Sequence, residues 1–222
     1  MRTAAIVPAA GSGKRLGFSE SKPFVLLKGR PIAYYTLKAL GDSSAIDAIV
    51  IACEKRYVSR FHSLIKRYRL KKVIDIVIGG KTRLDSVKNC LNSIDRTYDI
   101  VLIHDVARPL VTDDIIKRSV REAKRYGACV TAIPETDTVK IGGRSMFVKR
   151  TLDRSVIFRA QTPQVFKREL IKKAYNIKMG QGATDDSAMA EAMGKKVKIV
   201  AGSCRNIKIT TKEDLKLAEV LI

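Results

Sequence analysis

The sequence has no tryptophan, and aromatic residues make up only 6% of its 222 positions. Proteins that hold single-stranded nucleic acid rely on aromatic rings for bases to stack on, and no such platform is visible. Nor does any apolar run approach the ~20 residues needed to span a bilayer. The opening MRTAAIVPAAG carries only a short apolar stretch, which reads as a first strand and lacks the longer h-region of a secretory signal. A cytoplasmic location is the expectation. The four cysteines, Cys53, Cys90, Cys129 and Cys204, contain no CxxC and no metal-ligand spacing. Small buried thiols in a reducing compartment are expected of them, not zinc ligands or disulfides. Histidine occurs only twice.

Positive charge, by contrast, is in excess: 43 Lys and Arg against 22 Asp and Glu give a formal net charge of +21. The basic residues are scattered in pairs such as Lys66-Arg67, Lys117-Arg118 and Lys195-Lys196, with no arginine-rich tail. They read as solvated helix faces, and nucleic acid is not expected as a partner. The excess still favours anionic ligands such as phosphates through long-range attraction. Length and a hydrophobic fraction of 45% fit a single domain spanning 1–222.

Short apolar runs alternate with helical periodicity. Strands are expected at 4–7, 46–52, 73–78, 100–103 and 128–133. Helices are expected at 31–40, 55–68, 82–94 and about 112–126. This alternation predicts an α/β fold, a Rossmann-like, mainly parallel sheet flanked by helices. Ligands then bind beyond the carboxyl ends of the strands. Residues 135–158 break the rhythm. Their alternating apolar positions around Gly142-Gly143 predict a projecting β-hairpin arm inserted into the core. Helices at 167–178 and 185–193, short strands at VKIV and NIKI, and a final helix from Thr211 complete the expectation. Thr211 and Asp214 make a variant of the capping box there.

The first strand runs into PAAGSGKRLG. Small residues let backbone N–H groups approach phosphate oxygens, and Lys14 and Arg15 add positive charge. Spacing excludes G-x-G-x-x-G, because position 16 is Leu, and also the P-loop, because Arg15 follows Gly13-Lys14 and Pro8 holds the place of the earlier glycine. Lys22 lies just beyond and can reach the same phosphates. Gly79-Gly80-Lys81-Thr82-Arg83-Leu84-Asp85-Ser86 joins a strand to a helix. Its glycines permit close approach to a flat base, and Ser86 offers a hydroxyl. His104-Asp105-Val106-Ala107-Arg108-Pro109 follows another strand end, where an acid is placed for a ribose hydroxyl, a substrate hydroxyl or Mg²⁺. An Asp–Arg ion pair shaping the loop is the plainer alternative. For His104 an orienting or packed role is favoured over acid–base work.

Taken with TLDR at 151–154, QTPQ at 161–164, TDD at 184–186 and NIKIT at 206–210, these motifs stand in a familiar order. The chain resembles the 2-C-methyl-D-erythritol 4-phosphate cytidylyltransferase family of the non-mevalonate isoprenoid pathway. The resemblance implies that CTP and methylerythritol 4-phosphate give CDP-methylerythritol and pyrophosphate, with Mg²⁺ carried mainly on the CTP phosphates. It implies a homodimer in which each arm contributes to the partner's site. Arg15 and Lys22 would stabilise the transition state. Arg154, from the partner's arm, and Lys208 would position the substrate phosphate. Pro8, Ala9, Ala10, Gly11, Gly13, Gly79, Gly80, Arg83 and Ser86 would hold the nucleotide, and Asp105 and Ala107 would lie at the ribose and the substrate. Thr138, Thr162 and Thr184 match further substrate contacts. Two departures stand out. Ser21-Lys22-Pro23 replaces the usual Pro-Lys-Gln, and Arg205 stands where an Asp usually precedes Asn-Ile-Lys. A ribitol 5-phosphate cytidylyltransferase shares several of these motifs, and the TLDR segment favours methylerythritol phosphate over it. A more distant rival is a sugar-1-phosphate nucleotidyltransferase, and one of another class is a non-catalytic, basic nucleic-acid-binding module.

Overall fold

In the computed structural model, which describes residues 1–11, 20–177 and 184–222, the first strand, β1 (Arg2–Pro8), lies inside a seven-stranded sheet. Ala4 to Val7 are fully buried, as expected of a strand covered on both faces. β4 (Ala48–Cys53) and β6 (Tyr98–Ile103) flank β1 in parallel register, and β5 (Val73–Ile78) extends the sheet beyond β4. On the other side the order from β6 is β10 (Phe158–Lys167), β7 (Ala128–Pro134) and β11 (Lys198–Ala201). The short strands β2 (Leu26–Leu27) and β3 (Arg30–Pro31) form a separate pair.

The period-two alternation of side chains sorts the core into two layers. Ala5, Val7, Ile49, Ile51, Ile100 and Leu102 pack with α1 (Ile32–Asp42), α2 (Val58–Tyr68) and α4 (Asp113–Tyr126). Ala4, Ile6, Val50, Val101 and Ile103 pack with α3 (Arg83–Ser93), α5 (Arg168–Ala174) and α6 (Asp186–Glu191). Thr82 opens α3 with a full capping box, its hydroxyl accepting from the Asp85 N–H while Asp85 accepts from the Thr82 N–H. Thr211 and Asp214 do the same for α7 (Lys212–Leu221), so the Asp variant closes both bonds. Each cap contributes about 1 kcal/mol.

The mainly parallel sheet flanked by helices is as expected from the sequence, with one strand unforeseen. β10 is antiparallel to both neighbours and sits in the middle of the sheet. Pro163 argues against a central strand, because proline cannot donate to the ladder. Here residues 161–163 step out of register between Ala160 and Gln164, and the Thr162–Pro163 peptide is cis. The bulge absorbs the proline and the ladder resumes at Gln164. NIKI is not a strand. It lies against the loop after β6, held by the Ile209 N–H to the Ala107 carbonyl at 2.8 Å. The helix expected from 167 is α5, which ends at Ala174; position 178 lies outside the described residues. Three cysteines are buried and Cys204 is exposed. Burial pushes the Cys53 thiol up to about 11 and those of Cys90 and Cys129 up to about 12, which suits inert core thiols.

The arm contains β8 (Lys140–Gly142) paired with β9 (Val148–Thr151). Its turn starts at Gly143, whose N–H donates to Phe147, but the left-handed residue in it is Met146, with φ of 64°. Met146 is 90% and Phe147 78% exposed.

Candidate active site

Four segments converge where β1, β4, β5 and β6 end. Ala9 donates to the Ala52 carbonyl (2.7 Å) and Gly79 to the Cys53 carbonyl (2.8 Å), so the ends of β1, β4 and β5 stay side by side. Between them and the loop after β6 lies a cleft of about 460 Å³. Its walls include Pro8, Ala9, Ala10 and Gly11 after β1, Gly80, Arg83 and Ser86 after β5, and Asp105 and Ala107 after β6; Lys22 and Lys208 complete them. A cleft thus stands at the strand ends, where the sequence places ligand binding, and Lys81, Thr82, Pro23 and Val106 also line it.

The glycine pair after β5 is required by the protein's own packing. A Cβ on Gly79 would lie 2.5 Å from the Ala10 Cβ, and one on Gly80 2.2 Å from the Asp85 Cβ. Gly79 thus lets the loops after β1 and β5 touch, and Gly80 lets its own turn close on the start of α3. Ser86 is 1% exposed, and its hydroxyl donates to the Thr82 carbonyl and accepts from the Gly80 N–H. It shapes the turn as well as lining the cleft.

Lys22 is delivered by a short 3-10 turn, Lys22–Phe24. Phe24 is buried against Phe61 and Tyr57, and Arg60 of α2 stacks on Phe24 at 4.1 Å while pairing with Glu20 at 2.8 and 2.9 Å. The chain on both sides of Lys22 is thereby tied to α2. Gly13 and Arg15, with Ser12, Lys14, Leu16 and Gly17, lie outside the described residues.

Asp105 is the centre of charge. Arg83 Nε donates to Oδ1 at 2.9 Å and Lys208 Nζ to Oδ2 at 2.7 Å. Burial would raise the carboxyl pKa, but the Arg83 and Lys208 cations outweigh it and hold the group well below the usual carboxylate range. The Asp105 N–H donates to Thr162 Oγ1 at 3.0 Å. The ion pair considered within HDVARP does not form that way. Asp105 pairs with Arg83 and Lys208, while Arg108 Nη1 donates to the Asn206 carbonyl at 2.7 Å. His104 is fully buried, and its Nε2 donates to the Arg108 carbonyl at 3.1 Å. Burial lowers its pKa to about 4, so at neutral pH it is an uncharged packed histidine and not an acid–base group.

QTPQ and NIKIT meet behind this centre. Asn206, fully buried, donates from Nδ2 to Gln161 Oε1 (3.1 Å) and to the Thr162 carbonyl (2.9 Å). Gln164 donates to Asp185 (2.8 Å) and accepts from the Ser187 N–H (2.8 Å). These residues brace the segments that carry Asp105 and Lys208. Arg205 points elsewhere: its Nη2 donates to the Leu221 carbonyl at 2.6 Å, where a cation suits the carboxyl end of α7. Thr162 stands behind Asp105 without lining the cleft, and Thr184 is exposed at the entry to α6. Thr138 and Arg154 are exposed on and beside the arm, away from the lining of this chain's cleft, with Arg154 Nη1 on the Thr136 carbonyl at 2.7 Å.

A basic cleft at the strand ends of such a sheet, built from loops that present backbone and cations together, suits a nucleotidyltransferase, and the relatives of the chain are of that class. Residues 3–222 match the family model IspD: 2-C-methyl-D-erythritol 4-phosphate cytidylyltransferase, and the chain belongs to that family. It is 43% identical to the 2-C-methyl-D-erythritol 4-phosphate cytidylyltransferase of Alkaliphilus oremlandii, covering 100% of this chain and 95% of that one. To the enzyme of the same name from Clostridium novyi it is 42% identical, covering 100% and 96%. Among solved structures, 4-diphosphocytidyl-2C-methyl-D-erythritol synthase from Anaerococcus prevotii superposes with a TM-score of 0.88 at 32% identity, covering 99% of this chain and 95% of that one. The Francisella tularensis 2-C-methyl-D-erythritol 4-phosphate cytidylyltransferase gives 0.83 at 31% identity, with both chains covered completely.

Proposed function

We propose that this chain transfers the cytidylyl group of CTP to 2-C-methyl-D-erythritol 4-phosphate, releasing pyrophosphate and forming CDP-methylerythritol for isoprenoid precursor synthesis by the non-mevalonate route. The observation that carries this reading is a cleft lined by Lys22, Arg83 and Lys208 whose lining, among the described residues, contains one carboxylate, Asp105, and no histidine. A phosphate monoester is already a competent nucleophile, so the reaction needs no strong base. Its barrier is the meeting of anions, with charge growing on the α-phosphate and on the departing pyrophosphate. Positioning and cationic stabilisation supply the catalysis. Lys22 meets the phosphates, with Arg15 assigned the same task by the family. Lys208 takes the phosphate of the acceptor, and Asp105 takes a hydroxyl. Ala9, Ala10 and Gly11, with the turn at Gly79-Gly80, hold the base.

Magnesium fits this donor set in one manner. Among the described residues no group of three His, Cys, Asp or Glu side chains could cage a metal ion, and Asp105 is already shared by two cations. The ion would therefore be carried mainly by the triphosphate, with Asp105 as the one carboxylate at hand, and when bound it would neutralise phosphate charge.

The protein acts as a homodimer in this reading. Arg154 stands away from its own chain's cleft lining, and Met146, Phe147 and Val148, with Val156 beyond them, leave apolar surface uncovered on and beside the arm. A cytoplasmic place suits the three buried thiols. Among the described residues no helix is long and apolar enough to cross a membrane.

The deciding experiment is pyrophosphate release from defined substrate pairs. CTP with methylerythritol 4-phosphate is expected to turn over, and UTP or GTP in place of CTP is not. Equal or faster turnover of ribitol 5-phosphate would overturn the acceptor assignment, and generic RNA binding without turnover of any pair would overturn the enzyme. The shared site has its own check. Arg15→Ala and Arg154→Ala chains, each inactive alone, are expected to regain part of the activity when mixed, because one of the two hybrid sites is then intact. Verified heterodimers that stay inactive would contradict it.

A further inference from the structure

The TDD motif contains a residue that the cleft does not expose. Asp186, the first residue of α6, is fully buried. Its Oδ2 accepts Arg83 Nη2 at 2.7 Å and its Oδ1 accepts the Tyr175 hydroxyl. Tyr175, at the end of α5, is itself only 6% exposed. The same Arg83 guanidinium donates through Nε to Asp105 at 2.9 Å. A continuous line thus runs from Tyr175 through Asp186 and Arg83 to Asp105, whose other oxygen holds Lys208.

Resting on the functional reading above, we infer that Asp186 and Tyr175 are positioning residues, which act on the reaction by holding Arg83 against Asp105. Three observations support it. First, Arg83 divides its guanidinium between a fully buried carboxylate and a cleft carboxylate. When a substrate hydroxyl or a cation competes for Asp105, the bond to Asp186 keeps the guanidinium in place. Second, both Asp186 oxygens are engaged, one by the cation and one by the phenol, so the carboxylate has a single orientation in which to receive Arg83. Burial and then the Asp186 charge raise the Tyr175 pKa, which keeps its hydroxyl a donor. Third, a buried ion pair is seldom the most stabilising choice for a core, since well-packed apolar residues of similar volume often serve as well or better. An ion pair placed at the wall of a cleft is better explained by what it aims.

The test separates aim from stability by reading melting temperature and steady-state kinetics on the same proteins. Tyr175→Phe removes one hydrogen bond to the charged Asp186 and is expected to lower kcat about tenfold, the equivalent of ~1.4 kcal/mol, with little change in the KM for CTP. Asp186→Asn is expected to lose more of both stability and kcat. In a third protein, Arg83→Met combined with Asp186→Leu, the buried carboxylate and its partly exposed counter-ion are both gone, and Asp105 keeps Lys208. Stability is expected to recover in part relative to Asp186→Asn while kcat stays depressed. An active wild type whose Tyr175→Phe variant keeps full kcat, or whose charge-free double variant regains it with stability, overturns the inference alone. A wild type that turns over no CTP and methylerythritol 4-phosphate overturns the functional reading and this inference with it.

Discussion

Replacing Lys22 with alanine is expected to lower kcat about 10²- to 10³-fold, the cost typical of losing one donor aimed at developing charge, while the affinity for CTP changes far less. The asymmetry follows from where charge appears. In the proposed reading, ground-state CTP would also meet the backbone after β1 and the turn after β5, so its binding would be spread over many groups. The extra negative charge of the transition state would fall on the phosphates, which that reading gives to Lys22 and Arg15. The 3-10 turn that carries the lysine is anchored by Phe24 and Glu20 on α2, so the substitution should leave the fold intact. Single-turnover rates, with CTP affinity measured by calorimetry, check both halves. A large loss of affinity with unchanged kcat would reject the transition-state role.

The second large effect is expected at Asp105. Asp105→Asn keeps the shape of the side chain but removes the charge between Arg83 and Lys208. A loss of about 10²-fold in kcat/KM is expected, together with a lower melting temperature. Taking one member from a buried ion pair costs about 3–5 kcal/mol when the remaining charge is stranded. Here the cost should fall below that range, because Arg83 retains Asp186 and the Lys208 side chain is 41% exposed. The acid side of the stability curve gives an independent reading. The folded pKa of Asp105 is depressed, so its contribution is complete above the unfolded value of about 3.9. That contribution disappears as pH falls through the lower folded value. Comparing wild type and Asp105→Asn by thermal denaturation across that window should show the two curves converging at acid pH. Parallel curves would mean that the carboxylate adds nothing as a charge.

Much of this architecture can be read from local pattern, and the exceptions share one cause. β5 is bounded correctly by its apolar run, and α3 and α4 lie within a residue of the bounds their periodicity predicts, because period is a local signal. β10 is not so bounded, because its central proline speaks locally against a strand while the bulge that accommodates it is set by β6 and β7. NIKI looked like a strand for the opposite reason: its alternation is local, but its pairing is with an irregular loop. The cleft residues followed from motif order, with the exception of their electrostatic wiring. Nothing near Asp105 in the sequence says that its counter-ions come from positions 83 and 208 and not from Arg108 three residues on. Asp186 had no signal beyond its place in a motif, since burial and reach to Arg83 exist only once the first residue of α6 meets that of α3. Arg205 is the reverse case. In sequence it looks like a lost acid, and in space it is a cation capping α7.

The placement of β10 has a consequence for synthesis. A chain leaves the ribosome amino-terminus first, so its earlier strands can meet before its later ones exist. β1, β4, β5 and β6 are all available before β10 emerges, so a parallel half-sheet carrying Lys22, Arg83 and Asp105 can assemble early. Until then the free edge of β6 is unpaired, a surface open to misassociation. Thr162, Asp186 and Lys208 arrive afterwards; Asn206 ties the segment of Lys208 to Thr162, and Gln164 ties the start of α6 to β10. The nascent protein can therefore own a nucleotide-shaped hollow well before it owns the wiring that orients Asp105, and activity is the last property of the polypeptide to mature.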